Sequence, residues 1–211
     1  MTTNQISIQG VGRLAIEPDT ALINCHLSVL DPSYAESNRE LNRRVELLRQ
    51  SLPAVGPAKT DLKMTTYSVS HTNRFNQQER KNELAGYTAY QALELRMPLD
   101  KERVAQTVEA LSASHANAQM GVSFILGDPE PIRARLLAAA VKTARARAET
   151  IAQAAGVQLG KIAHIHHDAV EIRSEQVRRD ADGLTAYLGP DYNITSYVWA
   201  EKLTVTWELV Q

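Results

Sequence analysis

Apolar side chains recur along this chain with two different periods, and the order of those periods most constrains its fold. Alternation of apolar and polar residues, typical of a strand with one buried face, marks most of seven predicted strands. Spacings of three and four residues, typical of an amphipathic helix, mark three segments. The order is β-β-α-β-β-α-β-α-β-β. It predicts an α+β layered sandwich, in which about three helices pack on a largely antiparallel sheet of β-hairpins.

Composition limits the class of protein further. The 211 residues are 44% hydrophobic and 22% charged, with a net charge of −1. These values are those of an ordinary globular domain and exclude disorder or a disulfide scaffold. A near-neutral chain lacks the field that attracts nucleic acid, so no nucleic-acid partner is predicted. No linker rich in Pro, Gly or Ser is present, and we expect a single domain over residues 1–211.

Two further features concern the compartment and membranes. No segment approaches the ~18 consecutive apolar residues that span a bilayer, so membrane insertion is not expected. The first five residues contain neither a basic nor an apolar export region. This predicts a cytoplasmic protein if Met1 is the natural start, and a periplasmic one if a leader has been removed.

The first thirty residues predict a β-hairpin with a buried cysteine. Alternation on both sides of Pro18-Asp19 predicts a hairpin over residues 5–30 that turns at that pair. Cys25 falls on the apolar face of the second strand. Gly10 and Gly12 share the apolar face of the first strand, which indicates a bulge or the close approach of a packed helix.

Three helices have recognisable boundaries. Ser33 to Glu36 has the pattern of a capping box, and Asp100 is predicted to cap the second helix. The third and longest helix is predicted to begin at Asp128-Pro129 and to end before Gly156. Its apolar seam is predicted to consist of Leu137, Val141, Ala144, Ala148, Ile151 and Ala155.

Two polar segments are predicted to be mobile unless a neighbouring subunit orders them. Residues 72–83 contain one aromatic side chain among polar ones, which favours a hairpin loop. We therefore expect proteases to cut first within residues 72–85 and 173–193, and residues 137–155 to be protected.

No catalytic residue is predicted. A cysteine nucleophile needs a base within hydrogen-bond reach, and His26 points to the opposite face of the strand from Cys25. The sequence shows no set of nucleophile, base and orienting group, and no nucleophile elbow. We expect a protein that is not an enzyme and has no cofactor.

His164 and His166 form the arrangement most suited to binding a metal. On a strand they share a face and could offer two imidazoles, or they could face solvent or a second subunit. A zinc site needs a third or fourth ligand, and the sequence places neither candidate, Asp168 nor His26, nearby. We expect no stoichiometric transition metal.

The final strand indicates how the chain could associate. Its alternating positions carry much apolar area on one face: Trp199, Leu203, Val205, Trp207 and Leu209. Either the three helices cover this face or a second subunit covers what remains. We predict a homo-oligomer with closed symmetry.

Several short motifs together resemble the SIMPL-domain family, which includes periplasmic immunogenic proteins and a bacterial oxidative-stress protein. They occur in the family's order at residues 10–12, 18–21, 86–89, 138–149 and 155–162. Residues 194–199 differ from the family's usual glycine-bearing strand entry. The expected absence of an export leader is a second difference. Members of this family are mostly exported, and at least one forms large ring-like homo-oligomers. The family has no established catalytic residues. The resemblance therefore implies self-association and offers no catalytic residue for this chain.

The function predicted from these features is that of a non-enzymatic, self-associating protein, a scaffold or a stress-related factor. The alternative is a protein that binds a small ligand or a metal through the strand face of His164 and His166. A hydrolase without a recognised motif is a third hypothesis.

Overall fold

The computed structural model describes residues 4–76, 81–167 and 197–210. In these residues the seven strands and three helices follow the predicted order, with two short 3-10 helices after the first α-helix: β1 (Gln5–Ile16), β2 (Thr20–Asp31), α1 (Tyr34–Ser51), the 3-10 turns (Leu52–Ala54 and Lys59–Asp61), β3 (Leu62–Asn76), β4 (Lys81–Pro98), α2 (Lys101–Ala113), β5 (Gln119–Ile125), α3 (Glu130–Ala154), β6 (Gln158–His166) and β7 (Tyr197–Val210). All strand pairs in this part of the chain are antiparallel. The predicted α+β class is confirmed.

The strands form two sheets, and the chain divides into two compact units. Unit 1 contains β1, α3, β6 and β7, and unit 2 contains β2, α1, β3, β4, α2 and β5. Unit 2 is an insertion between β1 and α3 of unit 1.

In unit 1, α3 packs on one face of a sheet with the strand order β1-β7-β6. The buried side of α3 repeats every four residues: Leu136, Ala140, Ala144, Ala148 and Ala152. The predicted seam shares only Ala144 and Ala148 with this stripe. It was wrong at Ile151, which is about half exposed, and at Ala155, which is also exposed. After Leu136 all the buried positions of α3 are alanines, because β1 comes too close to the helix for larger side chains.

Gly10 and Gly12 explain that close approach. A Cβ atom at Gly10 would overlap the carbonyl oxygen of Ala140, and one at Gly12 would overlap that of Leu136. The backbone of β1 therefore lies directly against α3. Of the two interpretations of this glycine pair, the packed helix is the one that the structure shows.

In unit 2, α1 and α2 cover one face of a sheet with the strand order β3-β4-β2-β5. Alternate residues of β2 and β4 meet the apolar sides of both helices there. The fully buried members include Ile23, Leu27, Leu41, Leu48, Leu93, Leu95 and Val104. Four strands and two helices enclose this core.

The predicted hairpin over residues 5–30 is wrong. β1 pairs with β7, and β2 pairs with β4 and β5. Pro18 and Asp19 lie at the boundary between the two units rather than in a hairpin turn. The apolar face of β1 packs on α3, whereas that of β2 packs on α1 and α2, so the two strands belong to different cores.

The helix ends agree with the sequence except at Ser33. The Ser33 side chain caps nothing, and its backbone N–H donates to Asp31 Oδ1 at 2.7 Å. The predicted capping box is therefore not formed. The Asp100 carboxylate accepts from the N–H groups of Glu102 and Arg103, both at 3.1 Å, as predicted. Gly156 follows α3 with a φ of +71°, as expected of a residue that ends a helix.

Charged residues on α1 pair with one another, as expected for a solvated face. Glu40 accepts from Arg43 at 2.7 Å and from Arg44 at 2.8 Å. These two hydrogen bonds lower the pKa of Glu40 to about 2.

The segment predicted as a mobile loop at residues 72–83 contains strand residues instead. β3 and β4 extend to Asn76 and from Lys81, so only residues 77–80 of this segment lie outside the described part of the chain. Polar side chains do not prevent this extension because the ladder satisfies the backbone. The other segment with predicted mobility, 173–193, lies outside the described residues.

Candidate functional site

Cys25 is buried in the core of unit 2, as predicted. It lies on β2 between Leu93 of β4 and Met120 of β5, and its side chain has no exposed surface. Burial raises the pKa of the Cys25 thiol to about 11. The thiol is therefore protonated at neutral pH, and the nucleophilic thiolate is scarcely populated.

His26 lies on the opposite face of β2, also as predicted. Its Nδ1 is hydrogen-bonded to the Tyr90 hydroxyl at 2.8 Å, and the two rings are stacked with centroids 6.2 Å apart. The structure thus separates the two side chains that a Cys–His pair would require.

His164 and His166 share the face of the unit 1 sheet that points away from α3. Their rings are stacked, with centroids 6.3 Å apart and planes 20° from parallel. They lie opposite Thr206 and Thr204 of β7, and Ser7 of β1 is hydrogen-bonded to Thr206 at 2.8 Å. This face therefore presents two imidazoles beside hydroxyl groups.

The described residues complete no metal site around this pair. Among them, no group of three His, Cys, Asp or Glu side chains could hold an ion. His26 belongs to unit 2, where it bonds to Tyr90, and Asp168 lies outside the described residues.

Among the described residues, α3 is the helix that covers the apolar face of β7. Leu203, Val205 and Trp207 are buried against the alanines of that helix. The account in which all three helices cover this face was wrong, because the apolar residues of α1 and α2 belong to the core of unit 2. The face of β7 consequently leaves little area for a second subunit.

Glu201 is a buried carboxylate that the sequence reasoning missed. It is 6% exposed, on the same face of β7 as Leu203. Its Oε2 atom has no hydrogen-bond partner, and His167 Nε2 lies 3.9 Å away. Gly12 is directly opposite on β1. The sequence signal was that position 201 lies two residues from both Trp199 and Leu203 and therefore shares their face of the strand.

The outer ends of β3 and β4 form a two-stranded ribbon that extends past β2. The β2–β4 ladder ends at Asp31 and Tyr87, while β3 and β4 remain paired as far as Asn76 and Lys81. We call residues 72–76 and 81–86 the β3–β4 arm. Gly86, at its base, has a φ of +145°, and a Cβ atom there would overlap the carbonyl oxygen of Asp31.

One face of this arm carries two exposed apolar side chains. Phe75 and Leu84 lie on the same face by register, because Phe75 pairs with Asn82 and Leu84 with Asn73. This face continues to Tyr87, whose ring meets Tyr34 of α1 edge-to-face at 5.8 Å. Tyr34, Phe75 and Leu84 are each more than half exposed. We call these three residues and Tyr87 the arm patch.

No helix in the described ranges combines the length and the apolar composition needed to cross a membrane.

Two antiparallel sheets, one packed on α3 and the other on α1 and α2, define an α+β protein. Comparison with family models identifies the group to which it belongs. The model described as "SIMPL: Protein of unknown function (DUF541)" matches residues 6–202. The chain belongs to the SIMPL family, as its motifs predicted.

Comparisons with individual proteins add little. No curated protein matches the chain. Among solved structures, the de novo designed protein Foldit4 is similar, with 12% identity over 52% of this chain and all of its own. Its TM-score of 0.22 is too low to bear on the fold.

Proposed function

We propose that this chain is a non-enzymatic, self-associating member of the SIMPL family that acts as a scaffold or a stress-related factor. The observation that carries the proposal is the arm patch. Contiguous exposed apolar surface on a folded protein typically marks an interaction site. Here it lies on a two-stranded ribbon, and an isolated ribbon is marginally stable in water. A partner against the patch would stabilise the ribbon and remove the apolar surface from water.

The chemistry of the cysteine and its neighbour supports the non-enzymatic part of the proposal. The Cys25 thiol is buried and its pKa is raised to about 11. His26, the nearest imidazole in sequence, bonds to Tyr90 on the other face of the strand. Neither side chain is placed to begin nucleophilic catalysis.

The native mass of the full chain tests self-association. We expect sedimentation at micromolar concentrations to give a multiple of the 23.3 kDa chain mass. Replacing both Phe75 and Leu84 with Ser should lower that mass, because it removes the exposed apolar groups of the arm. Arg74→Ser, on the other face of the arm, is the matched control and should leave the mass unchanged. A 23.3 kDa species at every concentration would contradict the proposal.

The face of His164 and His166 supports the alternative, binding of a small ligand or metal. Its support is the side-by-side stacking of the two rings. Since two imidazoles are fewer ligands than a zinc site requires, we expect elemental analysis of the purified protein to find no stoichiometric transition metal. One zinc or copper per chain that is lost in His164→Ala would favour the alternative.

A further inference from the structure

We propose that the outer edge of β3 pairs antiparallel with β3 of a second copy of this chain, about a twofold axis at Ser70. The inference rests on the proposed self-association and names the surface through which it occurs. The second copy then adds a strand to the β3–β4 arm and contributes aromatic side chains beside the arm patch.

The β3 edge is long, and its middle part lacks the charged residues and prolines that discourage pairing with another strand. Among the described residues, β3 is the terminal strand of its sheet; it has 15 residues and pairs on its inner side with β4. Residues 64–73 contain no Asp, Glu, Lys, Arg or Pro. Edge strands normally carry such residues because unpaired N–H and C=O groups attract a further strand. Between Thr66 and Thr72 the ladder with β4 is regular, so the backbone geometry for pairing is already present.

The other edges in the described part of the chain are less suited. β5 has seven residues. Both β3 and β6 have two register shifts, but the longest regular run of β6 is only residues 164–166, whereas that of β3 is residues 66–72. At the β1 edge, Arg147 Nη1 donates to the carbonyl oxygen of Gln9 at 3.3 Å, so the Arg147 side chain already occupies an acceptor that a new strand would need.

A twofold axis at Ser70 gives the arm its third strand. Residues 64–69 of the second copy would then run beside residues 71–76 of the first. In the described part of the chain the ribbon beyond Tyr87 has two strands, and three or more are needed for independent stability. The added strand therefore stabilises the arm in both copies.

The same axis brings compatible side chains together. Tyr67 of one copy lies opposite Asn73 of the other and diagonal to its Phe75, within reach of an aromatic contact. Arg74 lies opposite Thr66, so no like charges meet. Tyr67 and Phe75 are about half exposed, and covering both in two copies would bury roughly 300–500 Å² of mostly apolar surface. This area adds to the backbone hydrogen bonds of the new ladder. A second copy therefore matches the edge in length, charge and side chains.

Single engineered cysteines test the axis directly. Directly opposed residues in an antiparallel pair have Cα atoms about 4.5–5.5 Å apart, which a disulfide can bridge. We expect Ser70→Cys to form covalent dimers under mild oxidation, without a contribution from buried Cys25. Thr88→Cys is the matched control: Thr88 pairs with Ser70 on the interior strand β4 and should stay monomeric on a denaturing gel.

A mixed experiment fixes the register. Ser68→Cys and Thr72→Cys should crosslink when the two variants are mixed, and much less when either is alone, since position 68 of one copy faces position 72 of the other. If the wild type sediments as an oligomer but Ser70→Cys does not crosslink, this inference is overturned and self-association stands. A wild type that is monomeric at all concentrations overturns both. Mixed crosslinking that matches the register, with an unreactive Thr88→Cys, supports the inference.

Discussion

Cys25 and its neighbour His26 differ in environment because they lie on opposite faces of β2. We expect thiol reagents to label Cys25 only as fast as the protein opens, since the side chain has no exposed surface. The control is Cys25→Ala with Ser28→Cys, which moves the thiol to the exposed face of the same strand and should label rapidly. Equal labelling rates for the two proteins would contradict the burial.

The raised pKa of Cys25 also has a consequence for stability at high pH. The thiol ionises near pH 9 in the unfolded chain and near pH 11 in the folded protein. Keeping the thiol neutral therefore stabilises the folded state below pH 9, and this contribution is lost as the pH rises from 9 to 11. Cys25→Ala should unfold with a shallower dependence on pH over that interval, measured by urea denaturation.

Glu201 is the second residue whose burial affects the free energy of unfolding. A buried carboxylate whose Oε2 atom has no hydrogen bond destabilises the fold, and replacing such groups with apolar ones is often stabilising. We expect Glu201→Leu to raise the free energy of unfolding by about 1 kcal/mol in urea denaturation. Glu208→Leu, on the other face of β7, should change it by less than about 0.5 kcal/mol. Loss of stability in Glu201→Leu would show that the carboxylate is well partnered.

At the scale of elements, the type and order of strands and helices could be predicted, but the strand partners could not. Alternation shows that residues 5–16 and 20–31 are strands, and Pro18-Asp19 shows that they are separate. Neither signal says that β1 pairs with β7, some 190 residues away. Partners are chosen by which apolar faces fit one core, and that information is spread over the whole chain.

The same limit applies to the candidate surfaces. The face shared by His164 and His166 follows from strand parity, and the structure confirms that they are neighbours. The arm patch could not be foreseen, because Phe75 and Leu84 share a face only through the register of β3 against β4. An irregularity between Thr72 and Asn73 shifts that register by one residue.

The contact between β1 and α3 is the element interface most sensitive to a single methyl group. In Gly10→Ala the new Cβ would overlap the carbonyl oxygen of Ala140 and lie 2.8 Å from the Cβ of Ala144. Overpacking of this kind costs typically about 1–3 kcal/mol, so we expect the midpoint of urea unfolding to fall. Gly121→Ala, on β5, meets nothing within 4 Å and should leave the midpoint nearly unchanged. Equal midpoints for both variants would contradict the close approach.

At the scale of the whole molecule, the two units have separate cores, but the chain enters unit 1, forms unit 2 and then returns to complete unit 1. Unit 1 is built from residues on both sides of residues 19–125. The backbone N–H of Asp19 donates to the carbonyl oxygen of Ile125 at 3.2 Å, so the folded insertion holds its own two ends together. If unit 2 unfolds, unit 1 must close a loop of about a hundred residues, which costs about 4 kcal/mol of chain entropy.

This linkage predicts that the chain unfolds as a single domain. Both tryptophans, Trp199 and Trp207, lie in unit 1, so their fluorescence reports on that unit alone. Leu93→Ala removes a fully buried side chain from the core of unit 2 and should destabilise it by about 2–5 kcal/mol. We expect the tryptophan fluorescence midpoint to fall together with the far-UV circular dichroism midpoint, because loss of unit 2 lengthens the loop that unit 1 must close. An unchanged fluorescence midpoint beside a lowered dichroism midpoint would show two independent domains.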